Sequence, residues 1–217
     1  MPLTLDRVTF AYPEGPTVLD AASLTIEPDS FVLVRGPSGA GKSTFLRLLC
    51  RLEEPQTGTV SFRGHAINDM IPADLRRSVA YVQQIPTLLT GTVRDNLLLP
   101  FSFKANTVLA LPTDEELNSH LSSFLLHDVS LDSRADTLSV GQSQRICLIR
   151  SLLLNPEVVL MDEPTASLDS ASAKIVLDKA AELSRDGMTV IMISHSEETP
   201  QGVTHIVHIS DHRLEYA

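Results

Sequence analysis

The sequence predicts an α/β fold, a mostly parallel sheet with helices on its faces. Three observations carry that expectation. From residue 157 onward, short apolar runs of strand length alternate with a helical stretch. Near residue 36 an apolar run enters a glycine-rich turn that opens a helix. Between about 85 and 155 the chain reads mostly helical, with a cap and proline stops marking segment ends.

Taken in order, Leu3 to Phe10 alternates apolar and polar, as a half-buried strand does. Tyr12-Pro13-Glu14-Gly15-Pro16 is a turn cluster, strand character resumes from Val18 to Ile26, and Glu27-Pro28-Asp29 turns again. Phe31 to Val34 is an apolar strand, and Lys42 to Leu49 has helical composition. Gly58 to Gly64 reads as a short strand between glycines, and Val79 to Val82 as another that ends at Gln83-Gln84. The helical part has three segments. Thr92 to Leu99 stops at Pro100; Thr113 caps a second with an acidic first turn; a third runs from Ser139 to Leu154 and is stopped by Asn155-Pro156. Residues 100–112, with two prolines and no period, read as a linker. Glu157 to Met161 is a buried strand, Ser170 to Arg185 a helix, and Met188 to Ile193 a β-branched strand. Val203 to Ile209 and Arg213 to Tyr216 close the chain as short strands.

With 217 residues the chain makes one large domain, or two small subdomains sharing a core. A formal net charge of −10 argues against electrostatic capture of nucleic acid, and no nucleic-acid partner is expected. No apolar run approaches 18 residues, so the chain is not expected to span a membrane by itself, and no signal peptide is evident. Cys50 and Cys147 are isolated thiols in apolar helical stretches, expected to be reduced core residues of a cytosolic protein.

The chemistry concentrates in two places. Residues 36–43, Gly-Pro-Ser-Gly-Ala-Gly-Lys-Ser, follow the phosphate-binding pattern of a glycine-rich loop ending in Lys-Ser. Such a loop aims backbone N–H groups into one concavity at a helix N-terminus. Gly36, Ser38, Gly39, Ala40, Gly41 and Thr44 are therefore candidate nucleotide contacts. Lys42 is expected on the β and γ phosphates, and Ser43 on Mg²⁺. The second place is Val158 to Glu163, an apolar strand that runs into two carboxylates. Asp162 is expected to serve Mg²⁺, which favours oxygen ligands, and Glu163 to orient and deprotonate an attacking water.

Leu138-Ser139-Val140-Gly141-Gln142 resembles the Leu-Ser-Gly-Gly-Gln signature of ATP-binding cassette (ABC) ATPases. The resemblance covers nearly the whole chain and keeps the family's order. Tyr12 looks like the aromatic that stacks on adenine, with Phe10 as its rival; Gln84 looks like the Q-loop glutamine, with Gln83 beside it. Ser167-Leu168-Asp169 looks like the D-loop, although Asp169 also suits a helix N-cap, and His195 looks like the switch histidine. The resemblance implies the family's P-loop NTPase fold, with an N-terminal antiparallel β subdomain and an inserted helical subdomain at 85–155. Residues 1–84 and 156–217 would form the remaining core of a single domain. It implies binding of ATP and Mg²⁺, the ion held by Ser43 with help from Asp162 and Gln84. Catalysis would rest on Glu163, His195, Gln84 and Lys42. It also implies a head-to-tail dimer in which Ser139, Gly141, Gln142 and Asp169 of one subunit complete the nucleotide site of the other.

Val140 departs from the pattern, standing where the family has the first glycine of its pair. The expectation remains an active ATPase, with an altered dimer interface. With no span of its own, the chain is expected to serve an integral membrane permease from the cytoplasmic side, peripheral on the inner face of the cell membrane. The segment from Gln84 to Leu97, with Pro100-Phe101, further resembles ATPases of compact two-component bacterial exporters, some associated with iron homeostasis. A soluble cassette of the iron–sulfur cluster assembly type and a non-hydrolysing regulatory cassette stand as alternatives, the latter resting on Val140 alone.

Overall fold

Phe31-Val32-Leu33-Val34 is fully buried, and a strand buried on both faces belongs in the middle of a covered parallel sheet. In the computed structural model, which describes residues 2–196 and 198–217, the run forms β3 (Phe31–Arg35). Five more strands join it: β6 (Val79–Val82), β7 (Val158–Met161), β8 (Thr189–Ile193), β9 (His205–Ser210) and β10 (Arg213–Tyr216). Their order is β10-β9-β3-β8-β7-β6. Every pairing in it is parallel except that of β10 with β9. A second sheet, β2-β1-β4-β5, is antiparallel and is made from β1 (Leu3–Ala11), β2 (Thr17–Ile26), β4 (Thr57–Phe62) and β5 (His65–Ala66).

Because side chains alternate across a strand, the parallel sheet feeds two cores. Val32, Val34, Val158, Leu160, Ile191 and Ile193 face the antiparallel sheet and α1 (Lys42–Leu49). Phe31, Val159, Met161, Val190 and Met192 face the helices on the other side. Those helices are α3 (Val93–Leu98), α4 (Asp114–Ser123), α5 (Val140–Leu152) and α6 (Ser170–Arg185). Among the described residues no helix is long and apolar enough to cross a membrane.

Caps fix where the helices begin. Thr113 Oγ1 accepts from the Glu116 N–H at 3.2 Å while Glu116 Oε2 accepts from the Thr113 N–H at 2.7 Å, a reciprocal pair that satisfies two orphan donors of α4. Thr92 with Asp95 opens α3, and Ser139 with Gln142 opens α5, in the same way. The structure departs from the sequence expectation at several elements. Pro72–Ser78 is a helix, α2, that the sequence pattern does not predict; it buries only Leu75, too little to leave a period. The expected linker contains 3₁₀ turns at Leu99–Ser102 and Lys104–Asn106, with Asn106 buried and its amide donating to Pro100 O at 2.9 Å. The helix expected to reach Leu154 ends at Leu152, and Asn155 turns with φ of 50°.

Candidate functional site

Parallel strands bring their C-terminal ends to one edge, where ligands of such sheets gather. Here β3 delivers loop 36–41, β6 delivers Gln84, β7 delivers Asp162 and Glu163, and β8 delivers His195. The loop threads a narrow passage. A Cβ on Gly36 would lie 2.3 Å from Ile209 O, and one on Gly41, where φ is 94°, would lie 2.2 Å from Val18 Cγ1. No side chain fits at either position, so the backbone itself lines the concavity. Gly41 is the N-cap of α1 and gives it no side-chain cap, which leaves the first-turn N–H groups available to an anion. Lys42 is buried, its Nζ donating to Gly36 O at 2.9 Å and Pro37 O at 3.0 Å. Ser38 and Gly39 are exposed at the loop tip, and Ala40 packs on the core beneath.

Ser43 Oγ donates to Asp162 Oδ1 at 2.9 Å, and the Tyr81 hydroxyl donates to Asp162 Oδ2 at 2.7 Å. Asp162 is buried, and both of these hydrogen bonds come from neutral hydroxyls. A buried carboxylate beside a serine hydroxyl is a hard oxygen donor set, suited to a small divalent cation. Burial, reinforced by the bond to Asp162, holds the Tyr81 phenol well above its ordinary range. A cleft of about 480 Å³ is lined by Ser43, Tyr81, Gln84 and Asp162 together with Arg47 and Ile85.

Glu163 adopts the left-handed conformation with φ of 48°, a cost for a residue with a Cβ that the surrounding contacts must offset. Its carboxylate is where three strand ends meet. Gln84 Nε2 donates to Oε2 at 2.9 Å, and His195 Nε2 donates to Oε1 at 2.6 Å. Of the neighbouring glutamines it is Gln84 that reaches Glu163, while Gln83 offers its carbonyl to Gln144. Of the two aromatics, Phe10 is buried and packs edge-on against Tyr12, with centroids 4.9 Å apart. Tyr12 keeps an exposed ring and meets Thr44 Oγ1 through its hydroxyl at 3.1 Å.

The signature residues lie apart from this cluster. Ser139 Oγ accepts from the Gln142 N–H at 3.2 Å, and the Gln142 amide donates to Asp128 Oδ2 at 2.9 Å. Asp169 caps α6 by accepting from the Ser172 N–H at 2.9 Å, and that contact holds its carboxyl below the usual range. Val140 sits in the first turn of α5 without a positive φ and exposes its side chain, so it strains nothing in its own chain. Among the described residues no hydrogen bond joins Ser139, Gly141, Gln142 or Asp169 to residues 36–44. Both thiols are buried, and burial pushes Cys50 up to about 11 and Cys147 upward as well, which suits inert core residues. Sequence reasoning missed Tyr81. Its only signal was a polar-tipped ring in a short buried strand leading to Gln84.

Comparison with known proteins follows the same lines. A family model described as "ABC transporter" matches residues 19–166. ABC transporter I family member 17 of Arabidopsis thaliana is 38% identical over 195 residues, covering 89% of this chain and 73% of that protein. ABC multidrug transporter MDR1 of Cryptococcus neoformans is 37% identical over 225 residues and covers 97% of this chain, which spans only 15% of that protein. Among solved structures, a dimeric ATP-binding cassette, MJ0796, bound to ADP and Pi in a post-hydrolysis state superposes with a TM-score of 0.83. It is 28% identical and covers 98% of this chain and 96% of that one.

Proposed function

The chain belongs to the ABC transporter family, and from that premise we propose that it is the ATP-hydrolysing nucleotide-binding subunit of a transporter, working through a separate membrane permease. The observation that carries the reading is the Glu163 carboxylate, held between Gln84 and His195 beside loop 36–44. In this reading Glu163 orients a water and takes its proton. Lys42 exchanges its bonds to Gly36 and Pro37 carbonyls for oxygens of the β and γ phosphates. His195 stabilises the γ-phosphate, and Gln84 keeps Glu163 aimed. The loop N–H groups from Gly36 to Thr44 cradle the phosphates, and the open face of Tyr12 takes the adenine. Ser43 and Asp162 would hold Mg²⁺, with Gln84 nearby, and the ion would supply neutralising charge for the phosphate oxygens. In-line transfer of the γ-phosphoryl group to water gives ADP and phosphate.

Among the described residues no hydrogen bond joins Ser139, Gly141, Gln142 or Asp169 to loop 36–44, which supports completion of the site by a second copy, head to tail. The whole chain is read as one domain, with 85–155 as its helical signature part. A groove of about 270 Å³ lined by Ile85, Pro86, Leu89, Leu99 and Arg150 supports docking of a permease segment on the cytoplasmic face of the membrane. Export, with an iron-related cargo, rests on the resemblance of residues 84–101 to two-component exporters. Glu163→Gln tests the core of the reading. Its amide cannot take the proton, so Mg-ATP hydrolysis by the purified chain is expected to fall by about a hundredfold or more. Binding of a fluorescent ATP analogue should persist. Undiminished turnover in Glu163→Gln would show that Glu163 is not the base that takes the proton from water.

A further inference from the structure

Tyr81 lies on β6, three residues before Gln84, and has no part in nucleotide binding or proton transfer as derived from the other side chains. The Asp162 N–H donates to Val82 O at 2.9 Å, so the backbone of residue 162 is anchored on β6. The Tyr81 hydroxyl anchors its side chain on the same strand by taking up Oδ2, while Oδ1 stays beside Ser43. A hydroxyl has one hydrogen to give, and Tyr81 gives it to Asp162 Oδ2 at 2.7 Å, a carboxylate oxygen that can only accept. The Tyr81 ring also forms part of the wall of both the cleft at Ser43 and the groove at Ile85 and Leu89.

We propose that Tyr81 is a positioning residue for the divalent-cation site, fixing the Asp162 carboxylate so that Oδ1 remains paired with Ser43 Oγ. The inference rests on the reading of Ser43 and Asp162 as the residues that hold Mg²⁺. Such outer partners orient a ligand that would otherwise rotate, and removing one typically weakens metal affinity without touching the ligand itself.

Tyr81→Phe deletes the one oxygen involved and keeps the ring. The full chain is titrated with Mn²⁺ in the presence of ADP, so that no turnover occurs, and free Mn²⁺ is read by electron paramagnetic resonance. Affinity for a fluorescent ADP analogue in EDTA is measured on the same preparation. The expected result is about a tenfold rise in the Mn²⁺ concentration at half-saturation in Tyr81→Phe, with affinity for the analogue in EDTA unchanged. Equal Mn²⁺ affinity in the two proteins overturns the proposal. So does a parallel loss of Mn²⁺ and metal-free nucleotide affinity, which marks a packing role. If the wild-type protein binds no Mn²⁺ with ADP, the reading of Ser43 and Asp162 falls as well; if it does and Tyr81→Phe matches it, only the role of Tyr81 falls.

Discussion

The Asn96 amide is fully buried in α3 and serves three backbone groups. Its Oδ1 accepts from the Leu89 N–H at 2.8 Å, and its Nδ2 donates to Leu89 O at 2.9 Å and Thr92 O at 3.0 Å. The stretch after Gln84 has no ladder of its own at Leu89, and Asn96 supplies one. Asn96→Ala would remove all three bonds, so a loss of about 1–3 kcal/mol in chemical denaturation is expected. The groove wall at Leu89 should loosen with it. Neither Asn96 nor Tyr81 was legible in the sequence as a positioning residue, because the partners that define their work are brought to them only by the fold. Lys42, Ser43, Asp162 and Glu163 stood out as candidates because the glycine loop and the strand running into two carboxylates are local patterns, and His195 stood out only through the family resemblance. What the sequence could not supply is that Gln84 and His195 take opposite oxygens of one carboxylate, a fact of three parallel strand ends.

At the scale of elements, the starts of α5 and α6 touch at Gly141. A Cβ there would lie 2.7 Å from Ser172 Oγ, which would have to turn away, and 3.1 Å from Ser172 Cβ, where the contact would have to give by a few tenths of an ångström. Gly141→Ala is expected to cost about 1–3 kcal/mol in thermal or denaturant unfolding, the usual range for an overpacked contact. Adding Ser172→Ala removes the closer of the two clashes and should restore part of the loss, and simple additivity of the two changes would count against this contact. The retained glycine is thus held in place by packing within the chain, whereas the exposed side chain at Val140 leaves that position free to vary without strain. The same scale shows which elements the sequence announces. Helices α4 and α5 carry side-chain caps that declare their first residues, while α2 has no such cap and a single buried residue.

In the whole molecule two groups of residues lie apart. Loop 36–44 with Glu163 and His195 occupies the ends of the strands, and Ser139 with Gln142 occupies the start of α5, with no hydrogen bond between the two sets among the described residues. If two copies pair head to tail, each nucleotide lies between the loop of one and the signature of the other. Two inactive variants should then repair each other. Lys42→Ala disables the loop and leaves the signature whole. Ser139→Asp keeps a good cap for α5 but sets a carboxylate against the phosphates, disabling the signature and leaving the loop whole. In a mixed dimer one of the two sites combines the intact loop with the intact signature, and the other combines both lesions. Random pairing of equal amounts makes about half the dimers mixed, so ATPase activity should recover to about a quarter of the wild-type value. Each variant alone should stay inactive at every protein concentration. Recovery in the mixture that grows with total protein concentration is the signature of a site shared between chains. A mixture as inactive as its parts, under conditions where the wild-type chain hydrolyses ATP, would mean that each chain completes its own site.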